Sequence, residues 1–273
     1  DSDQTLEEIY GVGLAKGGRL PLVQVPTTAG TGSEVTPISI VTTGSHEKKG
    51  VVAPQLLPDL AVLDAELTLG LPPAVTAATG VDAMVHAIEA YTSKHKKNPL
   101  SDMLAREALT LLAGAIEKAV HDGRDAAARQ DMLLGAMLAG QAFANAPVAA
   151  VHALAYPIGG HFHVSHGLSN SLVLPHVLRF NLSAAAKAYA ELAPIVFPAI
   201  APGAPQAMAA AMIEGFETLI PSLGLETRLT QVGIEAAHVP MMAEDAMKQT
   251  RLLVNNPREV TYDDAAAIYS GAL

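Results

Sequence analysis

With 273 residues, 50% of them hydrophobic and 16% charged, the chain is long and apolar enough for one or two domains around a sizeable core. A formal net charge of −10 argues against a polyanion such as nucleic acid as partner, and no uninterrupted apolar run reaches the roughly 18 residues of a membrane span. The absence of cysteine excludes a disulfide framework, a thiolate metal site and a cysteine nucleophile, and fits a reducing, cytoplasmic setting.

The chain opens DSDQTLEEIY, with no basic start and no apolar signal core. Gly11-Val12-Gly13 and Gly17-Gly18 read as turns. Leu22 to Pro26, Pro37 to Thr42 and Leu60 to Leu63 read as short strands, and Thr27 to Glu34 between them is a small, hydroxyl-rich loop. Leu71-Pro72-Pro73 closes this region, with proline suited to a helix start. Helical spacing then takes over across Asp102 to Val120, Asp125 to Ala144, Ala149 to Ile158, Leu168 to Phe180, Ser183 to Ile200, Pro205 to Ile220 and Ala236 to Lys248. Thr261 and Asp264 form a capping-box pattern before a last helix to Leu273. Low aromatic content, 4%, and abundant alanine point to closely packed helices. The expected architecture is an α/β remnant over residues 1–72 followed by an all-α domain over 73–273. Three or four strands with little helix are too few to bury both faces of a parallel sheet.

The chemistry-bearing residues fall in two clusters. Asp82 and His86 stand at i and i+4, so on a helix they share one face and reach one ion. Taken alone, the pair is also what a helix N-terminal aspartate and a surface histidine give. The second cluster shifts the balance: His152, His161, His163, His166 and His176 lie within 25 residues, half of the chain's ten histidines. Imidazole with carboxylate suits zinc, iron, manganese or cobalt equally.

At these residues the chain resembles the iron-containing (group III) alcohol dehydrogenases. Pro26-Thr27-Thr28-Ala29-Gly30-Thr31-Gly32-Ser33-Glu34 is similar to their nucleotide-side motif. Gly80 to Glu89 resembles their first metal motif, His152 to Gly167 their second, and Asn256-Pro257-Arg258-Glu259 their C-terminal signature. The four occur in the family's order and cover essentially the whole chain.

The resemblance implies Asp82, His86, His152 and His166 as ligands of a catalytic Fe²⁺, with Zn²⁺ an alternative. It places Thr27, Thr28 and Thr31 beside a nicotinamide cofactor, NAD or NADP, and Lys49 near its ribose. Hydride would pass between an alcohol carbon and the nicotinamide, the metal acting on the alcohol oxygen as a Lewis acid. A small alcohol or carbonyl substrate and a homodimer or larger homo-oligomer follow from the same resemblance.

Two departures stand out. The family's Gly-Gly-Gly-Ser phosphate-binding turn precedes the Pro-Thr-Thr motif, and this sequence begins after it, so the nucleotide-binding portion is expected to be partial. Many members carry a further histidine four residues after the first loop ligand, where this chain has Tyr156. Tyr156 and His161 are therefore the candidate catalytic side chains, His163 an alternative to His161. Ser165 also replaces an expected proline before His166-Gly167. Competing readings are a maleylacetate-reductase-like enzyme that works without metal, a glycerol-type dehydrogenase, a dehydroquinate-synthase-like lyase, and an inactive metal-binding helical module.

Overall fold

The computed structural model describes residues 2–43 and 47–273. The N-terminal portion is built from short strands: β1 (Gly11–Val12), β2 (Val23–Gln24), β3 (Ile38–Thr43), β4 (Glu47–Val52) and β5 (Leu60–Ala61). β4 is the centre of a three-stranded sheet, parallel to β1 with Gly11 opposite Val51, and antiparallel to β3 with Ile38 opposite Val52. β2 and β5 form a separate parallel pair, Val23 opposite Leu60. Gly11-Val12, expected as part of a turn, is thus a strand. The Gly13 N–H extends its ladder by donating to the Val52 carbonyl at 2.8 Å. Gly13 (φ +71°) and Gly17 (φ +86°) do take the left-handed conformations of turn residues. β4 escaped the sequence reading because Glu47-Lys48-Lys49-Gly50 carries no β signature; pairing on both edges makes it a strand.

Among the described residues nine helices follow: α1 (Pro73–Thr92), α2 (Pro99–His121), α3 (Ala126–Asn145), α4 (Ala150–Phe162), α5 (His166–Val196), α6 (Pro205–Ser222), α7 (Val239–Met247), α8 (Thr250–Leu253) and α9 (Tyr262–Gly271). Their starts carry recognisable caps. The Asn98 side chain accepts from the Ser101 N–H while Ser101 accepts from Asn98, Asp125 accepts from Ala128, and Thr261 with Asp264 forms the expected reciprocal box.

Two expected boundaries move. Leu168–Phe180 and Ser183–Ile200 are one 31-residue helix, α5. Nothing at Asn181-Leu182-Ser183 ends it, since the Asn181 amide is engaged with Asn256 instead of its own backbone. The segment Ala236 to Lys248 splits into a 3-10 turn, Ala236–His238, and α7, where Pro240 sits in the first turn and needs no N–H partner.

α1 is the central strut. From Thr76 to Thr92 it is buried almost all round, against α2, α3 and α5. Small side chains allow the close approach: a β carbon on Gly80 would stand 2.6 Å from the Met132 side chain of α3 and 2.9 Å from Ile116 of α2. Buried Arg129 fixes its start, donating to the Thr76 hydroxyl at 2.7 Å and the Gly123 carbonyl at 3.0 Å. Among the described residues no single helix is long and apolar enough to cross a membrane.

Candidate metal centre and its cleft

Because α1 is enclosed, whatever it presents must be satisfied by its neighbours. Asp82, His86 and Glu89 lie at i, i+4 and i+7, on one face of the helix. Asp82 is 2% exposed and His86 5%. Opposite them, α4 brings His152 (3% exposed) from its first turn, and α5 brings His166 as its first residue. Between these two helices His163 takes a left-handed conformation (φ +56°), which turns the chain back. The tight turn needs close packing: a β carbon on Gly167 would lie 2.3 Å from the Ala78 carbonyl oxygen, so the start of α5 rests directly on the α1 backbone.

The result is a convergent set of four. Nε2 of His152 and of His166 each stands 3.7 Å from Asp82 Oδ1, and His86 Nε2 stands 3.9 Å from it. One ligand atom from each of the four lies within 4.8 Å of all the others. A single ion with bonds of about 2.0–2.2 Å spans such a set with small side-chain adjustment. An orphaned atom points the same way. His152 Nε2, which faces Asp82, is buried and has no hydrogen-bond partner, and such a group is costly unless something else takes its lone pair. These residues fit a divalent metal, and nitrogen with oxygen and no sulfur suits iron or zinc among others.

Glu89 is the residue that sequence reasoning quoted within a motif but gave no role. Helix α4 has no side-chain cap of its own. Glu89 reaches across from α1, accepting from the Val151 N–H at 2.7 Å and the Ala149 N–H at 2.9 Å, so it serves as that cap. The same carboxylate accepts from His152 Nδ1 at 2.7 Å. That bond fixes the tautomer and leaves Nε2 aimed at the other ligands, the usual way a carboxylate orients a metal-binding imidazole. The signal available beforehand was its i+7 spacing from Asp82.

Charge follows from the packing. Burial opposes ionisation of Asp82, but the three imidazoles and the Asn170 amide, 2.5 Å away, outweigh it and hold the carboxyl below its ordinary value. Burial pushes His86 down to about 3, with Asp82 pulling the other way. Burial also works against protonated His152, yet the Glu89 bond prevails and raises it.

The four ligands sit at the inner end of a cleft of about 850 Å³, within the range for small organic ligands. One wall comes from residues 31–40 and the β4 region, the other from the α3–α4 turn, α4 and α8. Tyr156 lines it, its ring 6.0 Å from that of His166, and burial raises its hydroxyl above the ordinary phenol value. Thr31 lines it too, its hydroxyl 2.8 Å from that of Ser33. The loop holding Thr31 lands on α3, where a β carbon on Gly32 would stand 2.5 Å from the Gly140 Cα.

Other expected residues lie further out. Thr27 is exposed and Thr28 half-buried, both on the loop leading to Thr31, and neither is among the cleft-lining residues. Lys49, on β4, has its ammonium 5.6 Å from the centre of the Tyr10 ring. His161, at the end of α4, faces Asp245 of α7 with Nε2 2.5 Å from Oδ2, and is not among the cleft-lining residues either. Asn256 and Arg258 of the C-terminal signature clamp α5: Asn256 exchanges two hydrogen bonds with Asn181, and Arg258 donates to the Phe180 carbonyl and covers its ring at 3.9 Å. This clamp fixes the segment that carries Arg251, Leu252 and Asn255 to the cleft.

Known proteins resemble the chain along its length. The profile of the Fe-containing alcohol dehydrogenase family, C-terminal, matches residues 76–273, and that of iron-containing alcohol dehydrogenase matches residues 2–65. Long-chain-alcohol dehydrogenase 1 of Geobacillus thermodenitrificans is 41% identical over 259 residues, 93% of this chain and 64% of that protein. The crystal structure of a 1,3-propanediol oxidoreductase superposes with a TM-score of 0.95 at 36% identity, over 100% of this chain and 71% of that one. The sulfoacetaldehyde reductase of Bifidobacterium kashiwanohense, solved in complex with NAD+, gives 0.87 at 29% identity, over 99% and 70%. The chain thus spans about two thirds of the length of such relatives.

Proposed function

Because the chain belongs to the iron-containing alcohol dehydrogenase family, we propose that it supplies the metal-binding portion of a nicotinamide-dependent dehydrogenase that interconverts an alcohol and an aldehyde or ketone by hydride transfer. The observation that carries this reading is the convergence of Asp82, His86, His152 and His166 at the inner end of an open cleft, with the buried His152 Nε2 that faces Asp82 left without a hydrogen-bond partner.

In this proposal those four side chains hold Fe²⁺, with Zn²⁺ as substitute. A divalent ion so bound supplies Lewis-acid polarisation of a substrate oxygen. The chain's own residues do the rest. Glu89 holds His152 in the ligand tautomer, and Asn170 holds Asp82 Oδ1. Phe143, 4.5 Å from the His86 ring, covers that side of the cluster against water. Tyr156, protonated at neutral pH, is placed to hydrogen-bond a group in the cleft. Thr31, with Thr27, Thr28 and Lys49 on the same side of the chain, is assigned to the cofactor, NAD or NADP. His161 is engaged by Asp245, and proton handling is assigned to Tyr156 alone. A cytoplasmic homo-oligomer completes the proposal.

The test is anaerobic loading with Fe²⁺ or Zn²⁺, followed by fluorescence of reduced nicotinamide with NAD or NADP and short- and long-chain alcohols. The expected result is alcohol-dependent formation of the reduced cofactor, abolished by chelation. Metal binding without cofactor binding at millimolar levels would overturn the proposal and leave a metal-binding helical module.

A further inference from the structure

Away from its ligand cluster the cleft reverses the sign of the molecule. The chain carries a formal charge of −10, yet among the described residues the one carboxylate lining the cleft is Asp82, within the cluster. The remaining formally charged lining groups, the imidazoles aside, are Arg251 in α8 and Lys96 in the turn after α1.

Several cations elsewhere are paired, among them Arg19 with Asp59, Lys97 with Asp102, Lys118 with Asp125 and Arg179 with Glu217. Arg251 is not. Its backbone carbonyl accepts from Asn255, but its guanidinium has no acceptor among the described residues. Its placement is built: the guanidinium lies over β4, where a β carbon on Gly50 would stand 3.3 Å from Nη2 and 3.5 Å from Nη1. Any side chain at position 50 would crowd it. Arg251 and Tyr156 line the same cleft within electrostatic reach of each other, and the Tyr156 ring lies 6.0 Å from that of His166. Ligand cluster, Tyr156 and Arg251 therefore share one cleft.

The geometry points to a substrate that carries its own anionic group, a carboxylate or sulfonate, received by the Arg251 guanidinium and drawn in by Lys96 while its hydroxyl or carbonyl oxygen lies among Asp82, His86, His152 and His166. This rests on the dehydrogenase reading. A guanidinium is a two-pronged donor that matches such a group, and unpaired cations at a cleft wall steer anions toward it. The phosphates of a dinucleotide present the same oxyanion chemistry, and position favours the substrate because Arg251 lines the same cleft as the ligand cluster and Tyr156.

The chain loaded with Co²⁺ tests it, through the visible bands of the ion. ω-Hydroxycarboxylates of four and six carbons are titrated against n-alkanols of the same length, and NADH is titrated separately by fluorescence. The wild type is expected to bind the hydroxycarboxylates more tightly. Arg251→Ala is expected to weaken them on the order of 10- to 100-fold, the usual size of a charged hydrogen bond, with the alkanols unchanged. Arg251→Lys should restore part of the loss, and Lys96→Ala should act more weakly and chiefly at low salt. Equal binding of the two series, or an Arg251→Ala effect confined to NADH, would overturn the proposal, the latter assigning these cations to the cofactor. Bands that no alcohol perturbs would overturn the dehydrogenase reading, and this one with it.

Discussion

The two halves of the molecule reach order by different means. In residues 2–72 the strands are two to six residues long, and Leu20, Val23, Val25, Leu60 and Val62 leave much of their surface exposed. In residues 73–273 the largest side chains are fully enclosed, among them Tyr189, Tyr269, Phe216, Met84 and Ile88. Three of the four ligands are buried in the second half, on helices whose packing fixes them, whereas the wall holding Thr31 is a loop. The lesson is one of tolerance. A buried ligand set survives only if the backbones around it hold their separations, while a loop accepts change at its exposed positions.

The sharpest way to break this contrast is at contact between helix backbones. Gly167→Ala is expected to lower metal affinity by at least about 100-fold and Tm by several degrees, because the added carbon meets the Ala78 carbonyl and must push His166 away from Asp82. Gly114→Ala, in α2 with open space beyond it, is the control, expected to keep metal and gain roughly 0.5–1 kcal/mol of stability. Equal metal titrations for the two variants would show that helix spacing does not set the site.

Glu89 comes next. Glu89→Gln keeps the shape but loses the carboxylate that serves two backbone N–H groups and His152 together. Metal affinity is expected to fall roughly 10- to 100-fold, with helix content by circular dichroism nearly unchanged. An affinity within twofold of wild type would remove Glu89 from the site.

The smallest effect belongs to the loop side. Burial raises the Glu34 carboxyl above its ordinary value. Folding therefore favours its protonated form. That contribution is fully present below the unfolded pKa and is lost as pH rises through the folded one. Glu34→Gln is expected to raise Tm by about 1–3 °C at pH 7, with the gain fading toward about pH 4, and to leave metal affinity untouched. A gain that grows toward acid would contradict the assignment.

How much of this was legible beforehand varies with the kind of contact. The bodies of α2, α3 and α6 were readable from apolar spacing and the start of α9 from the Thr261–Asp264 box, since those signals lie within one segment. β1 and β4 were not, because pairing between Gly11 and Val51 is written in neither segment. Likewise Asp82, His86, His152 and His166 carry ligand chemistry in their own side chains, and the structure brings all four together. Glu89, Gly167 and Arg251 do not announce themselves. Their roles come from the N-terminus of α4, the α1 backbone and the glycine at position 50, each distant in sequence.

Helices α1, α4 and α5 together bring the four ligands of one candidate metal site into reach of each other. Anaerobic equilibrium titration with Fe²⁺, read by elemental analysis of the wild type and the Asp82→Ala/His166→Ala double variant, tests it most directly. Close to one ion per wild-type chain and none retained by the double variant are expected, with both remaining helical. Equal metal content in the two, or none in either, would contradict this.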